Sequence, residues 1–452
     1  MITRVVFKAN DIRGITDGPD PQWDADGAYA VGAALVDVLD LTKAEGRLVV
    51  GRDMRVSGPR MCAAFIEGVL SRGADVVDIG LASTDELWFA SGHLGLPGAM
   101  FTASHNPGAY NGIKFCVAGA KPIQPEQLVE IADRAIDGPP PGAVATPGTK
   151  TEQDLLPAYA AHLHSLVDLT GIRRLTVVAD AGNGMAGHTL PAVLGGADLE
   201  LIGLYTDPDG TFPNHAPNPL EPENLVDAQR AVVEHGADLA LVFDGDADRC
   251  FIIDERGEVV SPSAVTAMIA SQELAREPGS TIVVNKITSW SVREIVEAEG
   301  GHIAVTRVGH TFVKAAMERE KAIFGGEHSA HYYFRDFWGA DTGMLAGLHV
   351  LSLVGRSDQP LSQLAARFNR YAASGEINTL VDDQKMIMDR VAAAFDDRGV
   401  QDRVDGLTVA GPDWWVNVRP SNTEPLLRLN VEAATTEQMA ALRDEALGLI
   451  RA

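Results

Sequence analysis

The run Thr102-Ala103-Ser104-His105-Asn106-Pro107 places a hydroxyl and an imidazole side by side in a polar turn. An apolar run, Leu96 to Phe101, leads into it, and Asn111-Gly112-Ile113-Lys114-Phe115 follows. Asn-Pro favours a turn, so Ser104 is expected at an exposed strand end with a lysine close behind. Taken alone, the pair also fits a hydrogen-bonded serine in an ordinary loop, because Ser and Asn are common turn residues.

Asp244-Gly-Asp246-Ala-Asp248-Arg249 sits between the apolar runs Leu239 to Phe243 and Cys250 to Ile253. Three carboxylates at alternate positions in a tight loop repel one another unless a hard cation sits among them. Oxygen-only ligands favour Mg²⁺, Mn²⁺ or Ca²⁺ over Zn²⁺. A solvated acidic turn is the alternative. An EF-hand would gain Glu255 at its twelfth position, but Arg249 stands where it needs glycine and the flanks read as strands. Arg249 makes sense beside the carboxylates if an anionic group bridges it and the metal. His105 does not read as the base of a Ser-His pair, since no third orienting acid accompanies it.

Arg419-Pro-Ser421-Asn422-Thr423-Glu-Pro425 offers a guanidinium, short polar side chains and backbone N–H groups in a turn pinned by two prolines. That inventory suits phosphate, and equally an ordinary surface turn. Gly326-Glu327-His328-Ser329-Ala330-His331 could read sugar hydroxyls, or hold a structural histidine. Arg13 beside Gly14 is expected to point into a site. Arg52, Asp53 and Arg55 read as a surface salt-bridge cluster with a structural role. No Walker A, GxGxxG, CxxC or HExxH motif occurs.

These loops need a frame. At 452 residues and 46% hydrophobic, the chain can bury several cores. Sixty-two acidic against 37 basic residues give a formal charge of −25, which disfavours nucleic acid and anionic membranes as partners. An anionic substrate would need the few cations gathered locally. Cys62, Cys116 and Cys250 share no metal-ligand spacing, and a reduced, cytoplasmic compartment is the expectation. The first ten residues lack a signal-peptide apolar region, and no 18-residue apolar stretch offers a membrane span.

Three times an apolar strand runs into a polar turn: Val49 to Asp53, Val177 to Asp180 and Val283 to Lys286. Each is followed by a helix-like stretch, a small-residue break (Arg72 to Asp75, Gly195 to Asp198, Glu299 to His302) and another strand. A second polar loop then follows, at Ser104, Asp244 and Glu327. Alternating strands and helices imply a mostly parallel sheet with ligands beyond the strand C-termini. The Pro/Gly-rich stretch from Asp137 to Lys150 reads as a linker after a helix with Leu128, Ile131, Ala132, Ala135 and Ile136 on one face. Softer boundaries near Glu255 and in the Ser352 to Asn369 region complete a division into residues 1–150, 151–254, 255–366 and 367–452. The last segment closes on Thr435 to Gln438, which reads as a capping box. It opens a helix with Met439, Leu442, Ala446, Leu449 and Ile450 inward.

The motifs together resemble the α-D-phosphohexomutases, in the phosphomannomutase/phosphoglucomutase group. Asp11-Ile-Arg-Gly14, Gly51-Arg-Asp53, Thr102 to Pro107, Asp209-Gly-Thr-Phe-Pro-Asn214, Asp244 to Arg249, Gly326 to His331 and Arg419 to Pro425 carry the likeness, from Phe7 to Leu429. It implies four domains around a central cleft: three related α/β domains with mixed, mostly parallel sheets and a C-terminal α+β domain. Each contributes one loop: phosphoserine, metal, sugar and phosphate loops in chain order.

Ser104 would carry a phosphoryl group, with one Mg²⁺ per site on Asp244, Asp246, Asp248 and the Ser104 phosphate. His331, Lys114 and Arg13 are the implied proton-moving and stabilising groups, with Arg13 purely electrostatic. Arg249 would hold the phosphoserine, and His105, Lys286 and His310 would line the site. Glu327 and Ser329 would read the sugar 3- and 4-hydroxyls, while Arg419, Ser421, Asn422 and Thr423 hold the non-reacting phosphate.

The implied reaction interconverts mannose 1-phosphate and mannose 6-phosphate through a hexose 1,6-bisphosphate, also the activator. Glucose phosphates as equal or better substrates are the alternative. A catalytically silent sugar-phosphate-binding protein is a reading from another class, against which Ser104 itself argues. Small hexose phosphates are the expected partners, and the chain is expected to be a monomer or homodimer. Asn10, where phosphomannomutases often have Tyr, and Ala330, in place of a common Gly, depart from the pattern.

Overall fold

A computed structural model of the chain describes residues 1–41, 46–138, 146–421 and 425–452. Asn422, Thr423 and the centre of the Pro/Gly-rich stretch lie outside these residues. The chain divides into two compact units, Met1–Val260 with Ser329–Ser362, and Ser261–His328 with Gln363–Ala452.

The first unit holds two mixed sheets built on one plan. In the first, strand Arg47–Arg52 lies between Asp75–Leu81 and Gly98–Phe101, parallel to both. Strand Tyr110–Val117 then returns antiparallel to Gly98–Phe101, with Asp11–Ile15 antiparallel on its far side. In the second sheet, Leu175–Asp180 lies between Leu199–Leu204 and Leu239–Phe243, again parallel to both, and Cys250–Asp254 returns antiparallel. Within the second unit, Thr281–Asn285 lies between His302–Thr306 and Phe324–Gly326, parallel to both. The threefold pattern in the sequence is thus one topology used three times. Helices Gly58–Ser71, Ala186–Leu194 and Trp290–Ala298 make the first crossover in each.

Leu239–Phe243 and Cys250–Asp254 are buried at every position, which is why they read as unbroken apolar runs and not as alternating ones. The turn between two such strands is held rigidly at both ends. Near the first serine turn, Phe65 meets Phe101 edge to face at 5.3 Å, anchoring the strand that delivers Ser104.

The C-terminal part of the second unit is α+β. Strand Trp414–Pro420 lies antiparallel between Leu407–Ala410 and Leu426–Ala433, and helices Gln384–Ala394 and Thr436–Arg451 supply Val391, Leu442, Ala446 and Ile450 to its core.

Four local expectations change. In helix Pro125–Asp137, Leu128, Ile131, Ala132 and Ala135 are buried, but Ile136 is exposed: it follows Ala135 by 100° of helical turn and leaves the inward face. The Thr435 hydroxyl accepts from Gln438 N at 3.2 Å, yet the Gln438 side chain reaches Asp413. Only half of the capping box forms. Asp53 and Arg55 are fully buried, so they are no surface cluster. Lys150 belongs to strand Lys150–Glu152 at the edge of the first sheet.

Candidate active site

Ser104 follows strand Gly98–Phe101 and adopts a left-handed backbone, φ 49°, a conformation uncommon for non-glycine residues and costly unless its surroundings hold it. The constraint is visible. Thr102 Oγ1 accepts from Ser104 N at 2.9 Å, and Arg55 donates to the carbonyls of Ser104, Asn106, Pro107 and Tyr110 at 2.6–2.9 Å. The Ser104 hydroxyl donates to Asp244 Oδ2 at 2.8 Å. His105 Nδ1 lies 3.3 Å from Ser104 Oγ, but it also accepts from Arg249 Nη2 at 2.8 Å. An arginine can only donate, so that ring nitrogen is already engaged. Burial first, and then Arg249, hold the His105 imidazole well below its ordinary pKa. His105 is a neutral spacer here and not a base for Ser104.

The acidic loop is a tight connection in which Phe243 pairs directly with Cys250. These are strands, which removes the EF-hand. Asp244 and Asp246 are fully buried and Asp248 nearly so. Two helix starts grip the loop backbone: Thr84 N donates to Asp246 O at 3.0 Å and Met185 N to Gly245 O at 2.9 Å. A Cβ on Gly245 would lie 2.5 Å from Ser104 O, so the two loops touch at backbone level and only glycine fits.

Three buried carboxylates need cations, and two organic ones are present. Lys114, on strand Tyr110–Val117, donates to Asp246 Oδ2 at 2.7 Å and Asp248 Oδ2 at 2.5 Å. Arg249 donates through Nε to Asp244 Oδ2 at 2.9 Å, with Nη2 at 2.8 Å. Burial opposes charge on Lys114, but Asp246 and Asp248 outweigh it and keep it an ammonium. Burial likewise works to raise Asp246, and Lys114 with its hydrogen bond overrides it and holds that carboxyl low. Asp244 is pushed up by burial against the pull of Arg249.

The donor set fits a hard divalent ion. Oxygens of Asp244, Asp246 and Asp248 lie within 4.8 Å of one another. Asp246 Oδ1 and Asp248 Oδ1 are buried with no hydrogen-bond partner among the described residues. All-oxygen, partly unsatisfied and negatively charged, the loop has the ligand chemistry of Mg²⁺.

His331 forms an isolated bridge with Arg249. Its Nε2 lies 3.8 Å from Asp248 Oδ1 and 3.9 Å from Asp341 Oδ2, and Nδ1 is 3.0 Å from Ser329 Oγ. The Ser329 hydroxyl, expected to meet sugar, here orients that imidazole. Arg13 donates to Asn106 Oδ1 at 3.0 Å and Asp11 Oδ2 at 2.6 Å. The first unit therefore gathers Ser104, His105, Arg13, Lys114, the three aspartates, Arg249, Ser329 and His331.

The remaining candidates lie in the second unit. Glu327 is buried, and its Oε1 accepts from Asn285 Nδ2 at 3.1 Å and Gly309 N at 3.0 Å. It thus ties the Asn285 turn to Gly309, the residue before helix His310–Glu320. Lys286 is ion-paired with Asp402. Arg419 pairs across the strands with Arg428, and Glu376 bridges them, 2.7 Å from Arg419 Nη2 and 3.2 Å from Arg428 Nη1. Both Nε atoms are buried without a hydrogen-bond partner among the described residues. Ser421 N donates to Leu426 O at 3.0 Å.

Three contributors escape the sequence reading. Arg55 is the first. Thr84 is the second, its hydroxyl donating to Asp246 Oδ2 at 2.6 Å. Asp85 is the third: Ser83, Tyr159 and Thr342 hydroxyls donate to it at 2.5–2.7 Å, and burial pushes it up to about 6. Ser83-Thr-Asp-Glu86 carries the Ser-x-x-Glu helix-start pattern, a signal that could have located the last two.

A serine turn laid on a carboxylate loop, both carried by a repeated α/β plan, is the arrangement of enzymes that move phosphoryl groups between sugar oxygens. Residues 4–138, 157–257 and 261–371 match, in order, the phosphoglucomutase/phosphomannomutase alpha/beta/alpha domains I, II and III, and residues 376–449 match the C-terminal domain of the same family. The chain belongs to the phosphoglucomutase/phosphomannomutase family and is a phosphohexose mutase.

It is 39% identical over 437 residues to a phosphomannomutase of Salmonella montevideo, covering 94% of each chain. It is 40% identical over 440 residues to a Xanthomonas campestris pv. campestris protein named phosphohexose mutases, covering 95% of each. A crystal structure of a phosphoglucomutase/phosphomannomutase family protein from Burkholderia thailandensis superposes with a TM-score of 0.89 at 31% identity, over 100% of this chain and 98% of that one. No helix among the described residues is long and apolar enough to cross a membrane.

Proposed function

We propose that the protein interconverts mannose 1-phosphate and mannose 6-phosphate by way of a phosphoserine at Ser104 and a hexose 1,6-bisphosphate. The observation that carries this reading is the Ser104 hydroxyl, 2.8 Å from Asp244 Oδ2 in a loop whose other two aspartates keep unsatisfied buried oxygens. Asp244, Asp246 and Asp248 would hold Mg²⁺, which supplies charge neutralisation for a transferring phosphoryl group.

In the forward half-reaction the bond between Ser104 Oγ and phosphorus breaks, and one forms between phosphorus and a sugar hydroxyl oxygen. The proton leaving that hydroxyl goes to His331, whose Nε2 lies 3.8 Å from Asp248 Oδ1 and 3.9 Å from Asp341 Oδ2. Lys114 stays an ammonium, so it stabilises negative charge and can give a proton but not take one. Arg249, fixed on Asp244 and His105, steadies the Ser104 side, and Arg13 adds charge next to Asn106. The bisphosphate then returns its other phosphoryl group: a bond forms between that phosphorus and Ser104 Oγ, the bond to the other sugar oxygen breaks, and the freed oxygen takes the proton held by His331. Glu327 and Ser329 would read hydroxyls common to both orientations, while Lys286, His310, Arg419, Ser421, Asn422 and Thr423 would hold the distal phosphate.

Mannose as the sugar follows the names of the Salmonella relatives and the Glu327-His328-Ser329 sequence with His331 beyond it. Glucose phosphates are the second reading, favoured by the broader name of the Xanthomonas relative. Purified protein with Mg²⁺, catalytic hexose 1,6-bisphosphate and mannose 1-phosphate or glucose 1-phosphate in turn decides between them. Production of 6-phosphate from mannose alone supports the first reading, and comparable kcat/KM on both makes the enzyme dual. Absence of turnover on either removes the proposal. The compartment is proposed to be the cytoplasm, in line with cysteines Cys62, Cys116 and Cys250, all of them buried.

A further inference from the structure

We propose that Arg55 is a positioning residue for phosphoryl transfer: it locks the Ser104 turn in its left-handed form, with Phe212 closing over the guanidinium. The inference rests on Ser104 being the phosphoryl carrier. The four Nη N–H groups of this buried side chain all donate to backbone carbonyls, while Nε makes only an ion-pair contact. Nη2 donates to Ser104 O at 2.8 Å and Asn106 O at 2.6 Å. Nη1 donates to Pro107 O at 2.8 Å and Tyr110 O at 2.9 Å. Nε faces Asp53 Oδ2 at 3.2 Å, and Asp53 Oδ1 accepts from Arg55 N at 2.9 Å. One planar fork therefore gathers four carbonyls that no regular ladder could collect, a task its fixed geometry suits and a lysine's single ammonium does not.

The grip reaches the nucleophile itself. Ser104 holds φ 49° without being glycine, so its conformation persists only while its surroundings over-determine it. Its carbonyl is held from one side by Arg55 and crowded from the other by Gly245. Fixing that carbonyl fixes the direction of Cβ, and with it the Oγ that meets Asp244. The Asp209-Gly-Thr-Phe-Pro-Asn214 stretch gains a purpose from the same cluster. A Cβ on Gly210 would lie 2.6 Å from Arg55 Cα, and the Arg55 Cζ sits 5.2 Å from the Phe212 ring centroid. A cation against an aromatic face is attracted electrostatically, so Phe212 helps hold the fork in plane over the turn.

A residue that only satisfied buried carbonyls would affect how much protein is correctly folded, but not the rate at which folded protein reacts. Single-turnover kinetics separates the two. Protein phosphorylated on Ser104 is mixed with hexose monophosphate, and the loss of one phosphoryl mass from the Ser104 peptide is followed. For Arg55→Lys the expected result is full amplitude with a rate reduced about 100-fold, and a KM within about threefold of the parent. For Phe212→Leu, at a half-buried position, about a tenfold slower rate at full amplitude is expected. Reduced amplitude at the parental rate in Arg55→Lys, or a parental rate in Phe212→Leu, overturns the inference, and the second variant decides if the first does not fold. Phosphoryl mass retained in Ser104→Ala would instead overturn the phosphoserine reading on which the inference stands.

Discussion

The Lys114 ammonium lies 2.7 Å from Asp246 Oδ2, where it neutralises a carboxylate that a divalent ion would also seek. Lys114 and Arg249 are the two cations that make a fully buried group of aspartates tolerable without metal. Removing one partner of a buried pair leaves an uncompensated charge, a loss of about 3–5 kcal/mol. Lys114→Met is therefore expected to unfold at markedly lower temperature than the parent in chelator, with millimolar Mg²⁺ recovering much of the difference. Thermal unfolding of both proteins with and without Mg²⁺ checks it. Equal melting temperatures in chelator would show that Lys114 does not support the loop.

Thr84 governs which oxygen of Asp246 is open. Its hydroxyl at 2.6 Å and Lys114 both engage Oδ2, leaving Oδ1 as the unsatisfied atom. Groups that orient metal ligands typically change affinity by about 10- to 100-fold. Thr84→Val should weaken Mn²⁺ binding, read by electron paramagnetic resonance of the free ion, by about tenfold, and Thr84→Ser should restore it. Unchanged Mn²⁺ affinity in Thr84→Val would end that role.

Much of this frame was legible in the chain. The strand, turn, helix, break and strand repeat is carried by contiguous residues, and buried parallel strands advertise themselves as apolar runs at Val49, Val177 and Val283. Ser104 and the Asp244 to Arg249 loop were legible because dense charge in a short loop has few innocent explanations. Arg55 and Asp53 were misread as surface because nothing in Gly51-Arg-Asp-Met-Arg55 tells a solvated arginine from one that collects four carbonyls. Those acceptors come from residues 104–110, about fifty positions away, and only the sheet brings them together. The bridging of Arg419 and Arg428 by Glu376 was hidden for the same reason: cross-strand register is not written in local sequence.

Glu376 would compete with any anion offered to the two guanidiniums, because it already bridges them. Like charges opposite one another on neighbouring strands destabilise, and its carboxylate relieves this at 2.7 and 3.2 Å. Glu376→Gln should lower stability by about 1 kcal/mol and tighten binding of inorganic phosphate several-fold, because the internal anion is gone. Calorimetric titration with phosphate measures the second effect. Phosphate affinity equal to the parent's would show that these guanidiniums do not form the anion site.

Glu86 should make stability depend on pH in the alkaline direction. It is buried one residue beyond Asp85, its Oε2 has no hydrogen-bond partner among the described residues, and the nearest cation candidate, His188 Nε2, is 4.0 Å away. Burial and then Asp85 push its carboxyl up from 4.5 to about 8, so the folded protein keeps a proton that the unfolded chain releases. The folded state thus binds more protons between those values, and stability falls as pH rises through that window. Below about pH 4.5 the two states carry the same proton and the effect vanishes. Glu86→Gln keeps the shape and removes the charge that must be buried. Its melting temperature should match the parent's near pH 5 and exceed it near pH 9, with about 5 kcal/mol as the upper bound on the gain. Thermal unfolding at the two pH values tests this, and a difference that does not grow with pH would assign the titration to another group.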